Sequence, residues 1–176
     1  MGSETGLNPE FSFVVRPSEI GEKEQVYEFE ADSLQCEALA RRFDLVEIES
    51  LRVRMAVIRH HGGATLRLLG RVRAGVTQRC VVTLEPVKSD VDHRLESIFS
   101  VEDQSDSGDM MLSDEIEPLE VDVLDLGEVA AEELFLALDP YPRVVGVALT
   151  DFIPEADPGE NPKHPFAALA ALKGKK

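Results

Sequence analysis

Arginine alternates with apolar residues along two neighbouring stretches, at residues 51–57 and 66–76. Successive side chains of an extended strand point to opposite faces, so these arginines are predicted to share one water-exposed face. The planar guanidinium group suits bidentate contacts with phosphate. The candidates for such contacts with a polyanion such as RNA are Arg52, Arg54, Arg67, Arg71, Arg73 and Arg79. The alternative is a solvated face that pairs with the acidic part of the same chain.

Charge is segregated along the sequence. Between residues 41 and 94 there are eleven basic and six acidic residues, whereas residues 95–142 contain fifteen acidic residues and no Lys, Arg or His. The acidic stretch is either a solubilising surface or a docking surface for a basic partner, which long-range attraction would help to recruit. The candidates for docking are Glu115, Glu117, Glu120, Asp122, Glu132 and Glu133.

Residues typical of catalysis do not form a recognisable set. No serine has glycine at both flanking positions of a nucleophile elbow, and no phosphate-binding glycine loop is present. His60 and His61 are adjacent and would face opposite ways in a strand, which makes them a poor metal pair. We therefore expect no catalytic residue, no metal, no cofactor and no small-molecule substrate.

Length and composition define the class of protein. A chain of 176 residues, 43% of them hydrophobic, can bury a core without a disulfide or a metal. The net charge of -16 excludes a generally basic nucleic-acid binder, although a local basic patch remains compatible with it. With two cysteines and neither a signal-like segment nor a run of 18 apolar residues, the protein is predicted to be soluble and cytoplasmic, without membrane contact.

The arginines require a β-hairpin to position them. Two alternating runs flank the turn at residues 60–63, and a third alternating run follows at residues 91–101. Shorter strands are predicted around residues 11–15, 26–29, 119–123 and 144–149. Helices are predicted at residues 32–44 and 126–138, with Asp32 and Asp125 as N-caps and with Gln35 and Glu128 completing capping boxes.

These elements predict an α+β fold with a mostly antiparallel β-sheet, either a sandwich or a partly closed barrel, and two main helices. Residues 102–114 have the composition of an acidic, flexible loop. We expect a single domain at residues 11–153, followed by a flexible, proline-rich tail at 154–176 that carries a short apolar segment.

Two stretches of sequence, together with the end of the chain, carry a family resemblance. The first is the run from Gln78 to Val87, which follows the hairpin, and the second extends from Leu124 to Pro142. The residues that match the family are Cys80, Leu84, Glu85, Pro86, Asp125, Leu126, Pro140, Pro165 and Phe166. In this order they resemble the YceD family of large ribosomal RNA subunit accumulation proteins, and Pro165-Phe166 is similar to the ending of its alphaproteobacterial branch.

The resemblance implies a bacterial, non-enzymatic factor for the accumulation or processing of large-subunit (23S) ribosomal RNA. Its implied partners are the immature large subunit, through ribosomal RNA, a basic ribosomal protein, or both. Many family members carry a Cys-x-x-Cys pair at the turn, but here Thr77 occupies the first position. This departure favours a packing role for Cys80. The alternative function is an acidic protein-interaction module unrelated to ribosomes.

Overall fold

The computed structural model describes residues 9–60, 65–101, 116–118 and 123–146. The chain divides into two compact units, residues 1–144 and 145–176, and only Val145 and Gly146 of the second unit are described. The boundary expected at residues 153–154 and the acidic loop expected at 102–114 therefore lie outside the described residues. The following description concerns the first unit.

Seven strands and two α-helices make up the described part of this unit. In chain order they are β1 (Val14–Val15), a short 3-10 helix (Pro17–Glu19), β2 (Gln25–Glu30), α1 (Ser33–Arg42), β3 (Glu47–His60), β4 (Thr65–Arg79), β5 (Pro86–Ser100), β6 (Ile116–Pro118), β7 (Leu124–Asp125) and α2 (Leu126–Ala137). One five-stranded sheet has the order β2-β3-β4-β5-β6, and β1 pairs with β7 in a second, two-stranded sheet. The predicted strand at 144–149 does not form at residues 144–146, and its remaining residues are not described.

The α+β class and the mainly antiparallel sheet are confirmed, since among the strands described only the β5–β6 pair is parallel. The partly closed barrel is wrong: the sheet formed by the described residues stays open, with β2 and β6 at its edges. A second apolar layer explains the difference, because α1 packs on β3 and α2 packs on β4 and β5. The sheet can thus bury its apolar face without closing on itself.

The alternation in sequence determines which face of the sheet is buried. Val53, Met55, Leu68 and Val72 lie on one face and are at most 3% exposed, while the arginines between them face water. We call the buried side the core face and the other side the outer face. Each fully buried Val or Leu side chain of this kind contributes about 1.5–3 kcal/mol.

Both helices begin at the predicted N-caps. The Asp32 carboxylate accepts a hydrogen bond from the Gln35 backbone N–H, and the Asp32 N–H donates to the Gln35 side chain, each at 2.9 Å, which confirms the first capping box. The second capping box does not form. The Glu128 carboxylate instead pairs with Arg42, with one N···O distance of 3.0 Å, and this contact joins the two helices.

Asp125 links the start of α2 to the N-terminal segment through hydrogen bonds. Its carboxylate accepts hydrogen bonds from the backbone N–H of Gly127 at 2.9 Å, the N–H of Phe13 at 2.8 Å and the Ser12 hydroxyl at 2.6 Å. Gly127 permits this approach, because a Cβ atom there would lie 2.6 Å from the Phe11 carbonyl oxygen. The Asp125–Gly127 pair therefore fixes the position of α2 over the core face.

Candidate nucleic-acid interface

The sheet register gathers arginines on the outer face. Arg52 lies directly opposite Arg73, and Arg54 lies directly opposite Arg71. Arg94, from β5, lies on the other side of Arg71. We call these five residues the arginine block. Like charges directly opposite each other destabilise a sheet, so this arrangement needs opposite charges nearby.

Among the described residues, three carboxylates form ion pairs with the arginine block. Glu28 and Glu30 approach from β2, and Asp92 approaches from β5. The ion pairs are Arg54–Glu28 at 3.2 Å, Arg52–Glu30 at 3.5 Å, Arg73–Asp92 at 3.6 Å and a two-point contact of Arg71 with Asp92. Hydrogen bonding from Arg71 holds the pKa of the Asp92 carboxyl below its usual range. Glu24 and Glu96 line a cavity with Arg54, Arg71 and Arg94, so carboxylates near the block are about as numerous as its guanidinium groups in the described part of the chain.

Most of these guanidinium groups remain open to water. The side chains of Arg52, Arg54 and Arg73 are 75%, 69% and 59% exposed, whereas Arg71 is 38% exposed. Solvent-exposed pairs of this kind contribute about 0–1 kcal/mol each. A phosphate group can therefore replace such a carboxylate at little energetic cost.

The other two predicted arginines lie further along the same face. Arg67 pairs with Glu96 at 2.7 Å. Arg79 is at the end of β4, six residues from Arg73, which corresponds to about 20 Å at roughly 3.4 Å per residue. The structure thus brings four of the six candidates together and adds Arg94, which the sequence interpretation had not included.

The acidic candidates are more dispersed. Glu115, Glu120 and Asp122 lie outside the described residues, and Glu117 is described only as part of the β6 backbone, opposite Phe99. On α2, Glu132 faces water, whereas Glu133 is half-buried with its Oε2 atom 2.9 Å from Nε2 of His93. The two adjacent acids of this helix therefore face different surroundings.

Cys80 organises a tight turn between β4 and β5. Its side chain is fully buried, and its Sγ atom accepts hydrogen bonds from the backbone N–H groups of Val82 and Thr83, both at 3.4 Å. Burial alone raises a thiol pKa. Here hydrogen bonds from the side chain and backbone of Thr83 outweigh burial and lower the pKa of Cys80 to about 6. The thiol thus acts as a structural hydrogen-bond acceptor.

The same turn contains an unusual backbone conformation. Leu84 has φ of 62° in the left-handed region and is 71% exposed, and its N–H donates to the Cys80 carbonyl at 3.0 Å. The Cys80 N–H donates to the Glu85 carbonyl at 2.8 Å, after which Pro86 begins β5. These bonds hold Leu84 in a conformation that costs an L-residue about 1–2 kcal/mol.

The two stretches that carry the family resemblance meet in space. The Val81 N–H donates to the Pro142 carbonyl, and the Gln78 side chain donates to the Asp139 carbonyl, each at 2.9 Å. Pro140 lies within the segment after α2 that makes these contacts. Asp125 and Leu126 lie at the start of α2, away from this junction. Pro165 and Phe166 lie outside the described residues. Part of the shared motif thus lies at one junction, between the Cys80 turn and the segment after α2.

The described part of the chain has neither a metal-binding cluster nor a membrane-spanning helix. No group of three or more His, Cys, Asp and Glu side chains there is arranged to hold a metal ion. None of the helices described is both long enough and apolar enough to span a bilayer.

Comparison with known proteins identifies the family. The model of the family described as large ribosomal RNA subunit accumulation protein YceD matches residues 68–173, more than half of the chain. The chain therefore belongs to the YceD family, and membership associates it with the accumulation of large-subunit ribosomal RNA. The matched range includes the Cys80 turn, α2 and three members of the arginine block, and it begins after Arg52 and Arg54. No curated protein and no solved structure matches the chain.

Proposed function

We propose that this protein is a non-enzymatic, cytoplasmic ribosome-biogenesis factor that binds 23S ribosomal RNA and supports its accumulation and processing within the immature large subunit. One observation carries the choice of RNA. In a chain of net charge -16, five arginines are placed in register on one exposed surface, and Arg94 among them has no ion pair within the described part of the chain.

The ion pairs suggest how the surface would accept RNA. Glu28, Glu30 and Asp92 pair with exposed guanidinium groups through contacts worth about 0–1 kcal/mol each, so phosphate can compete with these carboxylates. Arg94 is exposed and has no ion pair within the described part of the chain. We expect Arg94 to take the first phosphate and Arg52 to exchange its carboxylate for a second.

Depletion in cells tests the role in ribosome biogenesis. We expect a strain without the protein to show a deficit of large subunits, relative to small subunits, in a sucrose-gradient profile. Restoring the protein from a plasmid serves as the control. A normal subunit ratio would instead favour the alternative, an acidic protein-interaction module unrelated to ribosomes.

Binding measurements test the contact with RNA. Replacing Arg67, Arg71 and Arg73 together by Glu is expected to abolish binding to a 23S ribosomal RNA fragment, and binding by the unaltered protein is expected to weaken steeply with salt. Circular dichroism checks that the variant folds. Unchanged RNA affinity in a folded variant would contradict the proposal. Crosslinking in cells that captured a basic ribosomal protein and no RNA would assign the contact to the protein partner.

A further inference from the structure

An apolar groove lies between the end of α1 and the water-exposed side of α2. Its lining residues are Arg42, Phe43, Glu132, Phe135 and Leu136. Phe135 and Leu136 are 52% and 74% exposed, and the Phe135 ring lies 5.3 Å from the Phe43 ring between centroids. Isolated apolar residues are normal on protein surfaces, but neighbouring ones that share a groove mark an interaction site.

In the described part of the chain, three acidic side chains accompany the one arginine that lines this groove. Glu132 lines it, and the nearby end of α2 has no basic residue in its last turn to offset the partial negative charge of the helix C-terminus. The cation of the groove, Arg42, is engaged by the carboxylates of Glu10 and Glu128 at 3.2 Å and 3.0 Å. The rim therefore attracts a positively charged partner.

We propose that this groove binds a basic amphipathic helix of a partner protein, with apolar residues on one side and Lys or Arg around them. The apolar side would cover Phe135 and Leu136, and the flanking cations would meet Glu132 and the carbonyl groups that end α2. This proposal goes beyond the proposed RNA contact and does not depend on it. A second copy of the chain and RNA are both poor occupants, because both would bring negative charge to a negative rim.

The groove and the arginine block are on opposite sides of the sheet. Helix α2 packs through Ala130 and Leu134 on the core face, whereas the arginine block lies on the outer face. Occupation of one surface therefore leaves the other open. On this arrangement the protein would bind a basic protein segment and an RNA segment at the same time.

Peptide binding to the full chain tests the groove. The probe is a fluorescein-labelled helical peptide of about 18 residues with Leu at i, i+3, i+4 and i+7 and Lys elsewhere. Its partner peptide keeps every Leu and replaces Lys by Glu. We expect Leu136→Glu to weaken binding of the basic peptide at least about tenfold in fluorescence anisotropy. Leu34→Glu, at a 73%-exposed position of α1, is the matched control and is expected to bind as the unaltered chain does.

The direction in which Leu136→Glu changes the peptide affinity distinguishes binding in the groove from simple charge attraction. Leu136→Glu adds a negative charge, so attraction without a groove would tighten the binding of a lysine-rich peptide. Equal or tighter binding by Leu136→Glu, or equal binding of the acidic peptide, would overturn the proposal. Sedimentation showing that Leu136→Glu dissociates a dimer would assign the groove to a second copy. Unchanged binding of 23S ribosomal RNA by Leu136→Glu would show that the RNA contact stands or fails separately.

Discussion

The carboxylates beside the arginine block provide the sharpest test of RNA binding. Glu28 and Glu30 each pair with one exposed arginine, Arg54 at 3.2 Å and Arg52 at 3.5 Å. If phosphate competes with these carboxylates, replacing both acids by Gln is expected to increase RNA affinity. Replacing Arg52 and Arg54 by Gln is expected to decrease it. The two double variants thus shift the same equilibrium in opposite directions.

The magnitude follows from counting phosphate contacts. Each cation that neutralises a phosphate of single-stranded RNA changes the slope of log K against log salt concentration by about 0.7. Losing two guanidinium groups therefore flattens the slope by about 1.4 in the Arg52→Gln, Arg54→Gln variant, whereas the Glu28→Gln, Glu30→Gln variant keeps the same phosphate contacts and is expected to raise the affinity with little change in slope. The free energy of unfolding is expected to change by at most about 1 kcal/mol per pair, because all four side chains are at least 66% exposed.

The assay is fluorescence anisotropy of a labelled single-stranded 23S ribosomal RNA fragment between 50 and 200 mM salt. The control variant, Glu22→Gln with Glu37→Gln, changes net charge by the same amount through two exposed acids outside the outer face. This control separates the local loss of the Glu28 and Glu30 ion pairs from the general effect of a less negative net charge. The reasoning is refuted if the control matches the Glu28→Gln, Glu30→Gln variant, or if removing the arginines leaves the slope unchanged.

Three further predictions concern the junctions that support this surface. Gly127→Ala is expected to destabilise the protein by about 1–3 kcal/mol in chemical denaturation, because the new Cβ would meet the Phe11 carbonyl oxygen. An increase in the free energy of unfolding, as Gly→Ala gives in an ordinary helix, would contradict the packing described. The pKa of Cys80 is about 6 in the fold, against an ordinary 9.0. The unaltered protein is therefore expected to gain stability over Cys80→Ala as pH rises from 6 to 9, and to lose that gain as pH falls through 6. Cys36→Ala is the control and is expected to give no such gain, because burial raises the pKa of the Cys36 thiol. Leu84→Gly is expected to raise the melting temperature by relieving a left-handed conformation, whereas Leu84→Ala is not, and equal effects of the two would rule out backbone strain.

Much of the fold follows from local patterns in the sequence. The alternation around Val53 and Val72 predicts both long strands, and the caps Asp32 and Asp125 predict where the helices begin, because these signals act within a few residues. The open sheet is not predictable in this way. Whether its edges meet depends on how the helices cover the core face, which is a contact between residues far apart in sequence.

The arginine surface, too, is only partly predictable from local sequence patterns. The shared face of Arg52, Arg54, Arg71 and Arg73 follows from the period of two, and the structure confirms it. The place of Arg94 does not follow, because it depends on the register between β4 and β5, and a slip of one residue would move it to the other face. The acids that pair with the block were expected in the acidic stretch at 95–142, but all three lie outside it: Glu28 and Glu30 come from the edge strand β2, and Asp92 comes from β5.

The hydrogen bond from the Phe13 N–H to the Asp125 carboxylate joins residues 112 apart in sequence, so its two partners are synthesised at different times. Strands β3, β4 and β5 form consecutive antiparallel pairs, so they can assemble soon after leaving the ribosome, whereas β1 has no partner until β7 has been made. At elongation rates of about 5–20 residues per second, the first strand waits roughly 5–20 s. The nascent chain therefore presents an uncovered apolar layer throughout that interval, and its last third closes the fold.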